Sequence, residues 1–244
     1  MTHFFDRAER IFFDQEIVTS TVGGALERTT YGDWAERSRR LGGVLDNLGL
    51  EPGARVGSFA WNTARHLEMW FAVPCTRRVL HTLNIRLFPE QLTYVVNHAE
   101  DEAIFVDRSL LPLLMASADS FTTVRHIVVM DDGGGGGEPL PDDPRIVDYE
   151  ELLAAAAPVA FDANDEYAAA SMCYTSGTTG DPKGVAYTHR SQVCVVICSV
   201  YCVCCVCVCL CVPGQRCTCD TQPDMCHIQF TLTYTHACTL YVSY

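Results

Sequence analysis

At 244 residues and 48% hydrophobic, the chain is long enough to bury one α/β core and an appendage. A formal net charge of −13, with no basic stripe, excludes nucleic acid as a partner, because nothing is arranged to neutralise a run of phosphates. The opening MTHFFDRAERIFFDQE has acids where a secretory signal needs an apolar run, so a cytoplasmic protein without a disulfide framework is expected.

The first readable element is a helix over residues 30–48. Trp34, Leu41, Leu45 and Leu48 form one apolar stripe, Thr30 and Asp33 match a capping box, and Gly49 then Pro52 stop the helix. A strand over 55–61 follows, then a helix capped by Asn62 or Thr63 that runs through HLEMWFAV. The rhythm repeats: strand 79–83, a helix from Pro89 with proline in its first turn, strand 103–106, helix 110–118 and strand 124–130. Glycines 133–137 read as a surface loop, 149–157 as a helix and 168–174 as a buried strand. Strands alternating with helices at this spacing predict an α/β fold with a doubly wound, largely parallel sheet. In such sheets ligands gather beyond the carboxyl ends of the strands, which directs attention to the end of the 168–174 strand.

That strand runs into YTSGTTGDPKGV, residues 174–185. Gly177, Gly180 and Gly184 let the backbone turn tightly and present N–H groups to an anion. Thr175, Ser176, Thr178 and Thr179 bring four hydroxyls, and Lys183 brings a mobile cation. Together they predict a polyphosphate cradle; the plainer alternative is a Gly/Thr-rich hairpin turn, since strand-like GVAYTH follows. A Walker loop is excluded, because that motif needs glycine directly before the lysine and Pro182 stands there.

The string TSGTTGDPKGV followed by Thr188–His189 resembles the signature loop of the adenylate-forming superfamily of acyl-CoA synthetases, luciferases and adenylation domains. The resemblance covers residues 5–191. TTYGDWAERSRRLGGVLDNLGLEPGARV is similar to the family's first helix and strand, and LHTLNIRLFPEQLTYVVNHAEDEAIFVD to the branch acting on medium- and long-chain fatty acids. The resemblance implies the incomplete N-terminal domain of an acyl-CoA synthetase, with ATP, Mg²⁺ and CoA as cofactors and a fatty acid as substrate. It also implies the reaction: a carboxylate attacks the α-phosphate of ATP to give acyl-AMP and pyrophosphate, and the CoA thiol then displaces AMP. Carried over residue by residue, Thr175, Ser176, Gly177, Thr178, Thr179 and Gly180 would hold the β- and γ-phosphates. Lys183 would be the catalytic cation that neutralises charge developing on pyrophosphate.

Two departures stand out. Arg77 occupies a position where the family has glycine, which predicts a strained turn. The family's adenine-, magnesium- and ribose-binding segments and its C-terminal lysine have no counterpart, so the expectation is an inactive N-terminal piece. His66, His81, His98 and His126 stand singly with no metal-ligand spacing and read as packing; no metal site is assigned. Cys75 and Cys173 read as small buried hydrophobes, and Phe12–Phe13 and Trp70–Phe71 as core rather than a fatty-acid slot.

From residue 193 the composition changes abruptly: the tail carries 12 of the 14 cysteines and only Arg216, Asp220 and Asp224 as charges. The domain division is therefore 1–192, a truncated synthetase domain, and 193–244, a low-complexity Cys/Val-rich tail that is not a folded domain. Residues 193–212 have the length of a membrane span, but valine and cysteine dominate where leucine and alanine are expected. Thiolate metal binding is a further alternative. Alternating valine and cysteine is also what a repeating GT dinucleotide encodes, which favours frameshifted or intron-derived sequence. The rival functions are thus a non-catalytic nucleotide-binding fragment and a Cys-rich membrane or metal-binding protein with an enzyme-like head.

Overall fold

The computed structural model describes residues 1–134, 139–163, 165–175 and 181–194. The chain divides into two units, Met1–Ile197 and Cys198–Tyr244, and the second lies outside the described residues. The membrane-span and thiolate readings of the tail therefore fall almost wholly outside them as well. Among the described residues no helix is long and apolar enough to cross a membrane.

The chain opens with helix α1 (Thr2–Ile11) and an antiparallel hairpin of β1 (Glu16–Ser20) and β2 (Leu26–Thr30). Helix α2 (Tyr31–Asn47) starts at the expected capping box: Thr30 Oγ1 accepts from the Asp33 amide, and the Asp33 carboxylate accepts from the Thr30 amide. Gly49, at φ +66°, supplies the left-handed turn that ends it. Then follow β3 (Arg55–Phe59), α3 (Ala64–Cys75), β4 (Val79–Thr82), α4 (Pro89–Ala99), β5 (Asp101–Asp107), α5 (Leu111–Ala118), β6 (His126–Met130), β7 (Ile146–Asp148), α6 (Tyr149–Ala155), β8 (Ala169–Thr175) and β9 (Lys183–Thr188).

The main sheet has the order β7-β6-β5-β3-β4-β8-β9. It is parallel from β7 to β8, and β9 alone pairs antiparallel, against β8. The doubly wound reading holds. Residues of β5 and β6 alternate between two cores: Ala103, Phe105, Val128 and Met130 face α2, α3 and α6, whereas Ile104, Val106, Ile127 and Val129 face α4 and α5. Both faces are covered, as a parallel sheet requires. Phe5, Trp34 and Ala35 form a third, smaller cluster that seats α1 on α2.

Two local features follow from close approach and strain. A Cβ on Gly43 would stand 2.1 Å from the Ala157 carbonyl oxygen, so only glycine lets the segment after α6 cross α2 at that point. Arg77 has φ +64°, the strained turn expected where a glycine is missing. Expectations fail at Phe12–Phe13, at Cys173 and along the 168–174 strand, in which only Ala170 and Ser171 are buried. Phe12 and Phe13 are 41% and 59% exposed, not core, because α1 buries only Phe5 and leaves its end on the surface. Cys75 is fully buried, with its thiol pushed up to about 12 by that burial, while Cys173 is only half-buried.

Candidate functional site

Strand β8 lies between parallel β4 and antiparallel β9, and its last residue, Thr175, is exposed at the carboxyl end of the sheet. Lys183 begins β9 directly opposite, in register with Thr175, and Gly184 is in register with Tyr174. The sheet thus brings together the first and last of the residues assigned to the cradle. Lys183 is exposed and forms no ion pair among the described residues. Ser176, Gly177, Thr178, Thr179 and Gly180 lie outside the described residues.

Gly184 has a different reason for being glycine from the one expected of a tight turn. A Cβ there would stand 3.1 Å from Cζ, 3.3 Å from Oη and 3.4 Å from Cε2 of Tyr174, so the ring lies across the glycine. The Tyr174 hydroxyl is 2.6 Å from His98 Nδ1 on α4, and His98 stacks on Tyr94 one turn earlier, with ring centroids 5.3 Å apart. Behind Tyr174, 5.2 Å between centroids, is the ring of His81 on β4.

His81 is wholly buried, and its Nδ1 lies 2.9 and 2.8 Å from the two carboxylate oxygens of Asp101 at the start of β5. Burial pushes the Asp101 carboxyl above its ordinary range, and the His81 hydrogen bond opposes that rise. Among the described residues His81 Nε2 has no hydrogen-bond partner. Sequence reasoning took His81 and His98 for packing; the signal that could have found the pair is Asp101, an acid just ahead of the apolar AIFV run of the strand DEAIFVD.

A second polar group sits at the carboxyl ends of β3 and β5, where the chain's order in the sheet reverses. Asp107 Oδ2 accepts from the Trp61 amide at 2.6 Å, Trp61 Nε1 donates to Ser109 Oγ at 3.0 Å, and Ser109 Oγ donates to Asp132. Asp107 is fully buried with Oδ1 unpartnered, and burial with the nearby Asp132 carboxylate raises its carboxyl to about 7 against the Trp61 hydrogen bond. His189, also buried, has neither ring nitrogen paired, and burial lowers its pKa. No group of three or more His, Cys, Asp or Glu among the described residues is placed to hold a metal ion.

Comparison with known proteins places this arrangement. The sequence profile of the family described as AMP-binding enzyme matches residues 5–231, past the composition change at 192. The chain is 43% identical over 194 residues to the 3-methylmercaptopropionyl-CoA ligase of Ruegeria lacuscaerulensis, covering 79% of this chain and 36% of that protein. It is 44% identical over 191 residues to the long-chain-fatty-acid–CoA ligase of Thermus thermophilus, covering 78% of this chain and 33% of that one. In fold it is similar to the anthranilate CoA ligase AuaEII in complex with anthranoyl-AMP, with a TM-score of 0.65 and 21% identity over 76% of this chain and 34% of that one. The fatty acyl CoA synthetase of Mycobacterium tuberculosis gives a TM-score of 0.59 at 19% identity, over 77% of this chain and 34% of that one. The chain spans about a third of the length of the curated relatives it matches. A family model that matches most of the chain, and CoA ligases as relatives, carry one conclusion: the chain belongs to the adenylate-forming family of AMP-binding enzymes.

Proposed function

We propose that this chain carries the triphosphate-binding part of an ATP-dependent acyl-CoA ligase that activates an unbranched aliphatic acid, a fatty acid first among them. The observation that supports it is the juxtaposition of Thr175 and Lys183, which has no ion-pair partner among the described residues, across the two strands that flank SGTTGDP. An exposed lysine and hydroxyl at the carboxyl end of a mostly parallel sheet suit a polyanion. In this reading Thr175, Ser176, Gly177, Thr178, Thr179 and Gly180 hold the β- and γ-phosphates, and Lys183 offsets charge developing on pyrophosphate. ATP supplies the α-phosphate that the acid attacks, Mg²⁺ travels with the nucleotide, and CoA takes the acyl group in the second step; no described residue is assigned to the last two. The acid class rests on the relatives named for long-chain fatty acids and for 3-methylmercaptopropionate.

These 244 residues, about a third of the relatives' length, are proposed to bind nucleotide. Residues 193–244 are proposed as a low-complexity tail, with cytoplasm as the setting. Calorimetric titration of Mg-ATP into the purified chain tests the site. Lys183→Ala should weaken binding by about tenfold or more, as expected for one lost charge-assisted contact of at least ~1.4 kcal/mol. Equal affinity in Lys183→Ala and the parent would remove the cradle assignment. Acyl-dependent AMP release, assayed with acids of several lengths in a ligase carrying this segment, tests the substrate class.

A further inference from the structure

We propose that Tyr174 is a positioning residue for the two strand ends assigned to the phosphates: its ring and hydroxyl tie the ends bearing Thr175 and Lys183 to helix α4 and to the buried His81–Asp101 pair. The proposal depends on the phosphate-cradle reading only for what the positioned residues do.

The backbone alone does not fasten this end of the hairpin. Pairing between β4 and β8 consists of Leu80 with Ser171, His81 with Met172 and Thr82 with Cys173, and it stops there. Tyr174 is the first residue past that ladder. Beyond it β8 and β9 continue paired only to each other, through Tyr174 with Gly184 and Thr175 with Lys183. The contacts of the Tyr174 side chain replace the missing ladder.

Each contact fixes a different element. The ring covers Gly184 at 3.1–3.4 Å from where a Cβ would be, so β9 is held at the residue following Lys183. The hydroxyl meets His98 Nδ1 at 2.6 Å, and the His98 ring stands edge-on to the tyrosine at 5.7 Å and 89°. His98 is in turn backed by Tyr94. On the inner side the His81 ring cannot swing, because both oxygens of a fully buried Asp101 hold its Nδ1. His81 Nε2, without a hydrogen-bond partner among the described residues, fits a ring kept for its shape and face rather than for a second hydrogen bond. Tyr174 therefore joins β9, α4 and the β4–β5 pair at the residue preceding Thr175.

The test uses the 244-residue chain and amide hydrogen exchange. Tyr174→Phe keeps the ring and removes only the bond to His98. Exchange at residues 173–175 and 183–185 should rise about tenfold, the effect of losing one such hydrogen bond in a local opening. Amides of β3 and β5 should keep the parent rates. His98→Ala, an exposed change that leaves the core untouched, should reproduce the effect, and His98→Gln, which retains a polar partner, should restore near-parent rates. Mg-ATP affinity should fall in Tyr174→Phe and His98→Ala and hold in His98→Gln. Unchanged exchange in the hairpin, or an equal rise across the whole sheet, would overturn the proposal. Absence of Mg-ATP binding by the parent would count against the phosphate-cradle reading and leave the exchange results to decide this one.

Discussion

Strands β5 and β6 and strands β8 and β9 belong to one sheet and are built in opposite ways. In β5 and β6 nearly every side chain is buried, alternate residues feed two cores, and helices cover both faces. In β8 only Ala170 and Ser171 are buried, and β9 is half-buried at best, with Val185 37% exposed. Thr175 and Lys183, the described residues assigned to chemistry, stand on the second pair. Binding groups need access to solvent and ligand, whereas the parallel centre needs none, so the sheet separates stability from function along its width.

The polar groups of the two regions sharpen that contrast. Around the buried half runs a charge network: Arg37 Nε donates to Glu68 at 2.7 Å, its Nη1 and Nη2 to Glu150 at 2.8 and 2.9 Å, and Tyr149 donates to Glu68. Arg65 joins Glu150 to Glu27 of β2. Glu68 is 2% exposed, and burial raises its carboxyl above the ordinary range against the pull of Arg37. Arg37→Ala strands that carboxyl and should cost about 3 kcal/mol or more of global stability by urea denaturation. An effect confined to one segment would show that the network is local and break the comparison.

A pH-dependent effect comes next, at Asp107. Its folded pKa is raised to about 7, above the unfolded value of about 3.9. A raised carboxyl contributes its full stability below the unfolded pKa and loses it as pH rises through the folded one. Asp107→Asn removes that loss while keeping an acceptor for the Trp61 amide. Its stability relative to the parent should therefore rise between pH 5 and pH 8, by about 1–3 kcal/mol. A difference that stays flat across that range would mean Asp107 is ionised throughout.

The smallest effect is a gain. Arg77→Gly relieves a left-handed residue at the amino end of β4, and should add about 0.5–1 kcal/mol in thermal unfolding. The exposed Arg77–Asp162 ion pair lost in the exchange offsets little of it. A loss of stability would mean that the pair, not the backbone, decides the position.

Legibility in the sequence followed the same division. The central strands read as continuous apolar runs, and α2 declared its start through Thr30 and Asp33, because those signals are local. Helix α1 and the β1–β2 hairpin were not read from the sequence: α1 is amphipathic but short and rich in charge and buries only Phe5, and β1 and β2 leave Val18 and Leu26 exposed. Strand β7 is three residues long, too short for a pattern. The glycine-hydroxyl-lysine string was legible, and the pairing of Thr175 with Lys183 follows from a hairpin around it. The seat of Tyr174 was not, because His81, His98 and Asp101 reach it from elements distant in sequence, and nothing in a linear pattern encodes a contact made by topology.

The three-residue pairing of β4 with β8 also has a consequence for the order of folding. The β8–β9 hairpin forms from neighbours in the chain, but its attachment to β4 must close a loop that includes α4, β5, α5, β6, β7 and α6. Long closures carry the larger entropy cost and come late, after β3, β4 and β5 have already made a surface to dock on. On the proposed function, the hairpin assigned to the nucleotide is thus fastened late and released early, and bound phosphate would act first on its unfolding rate.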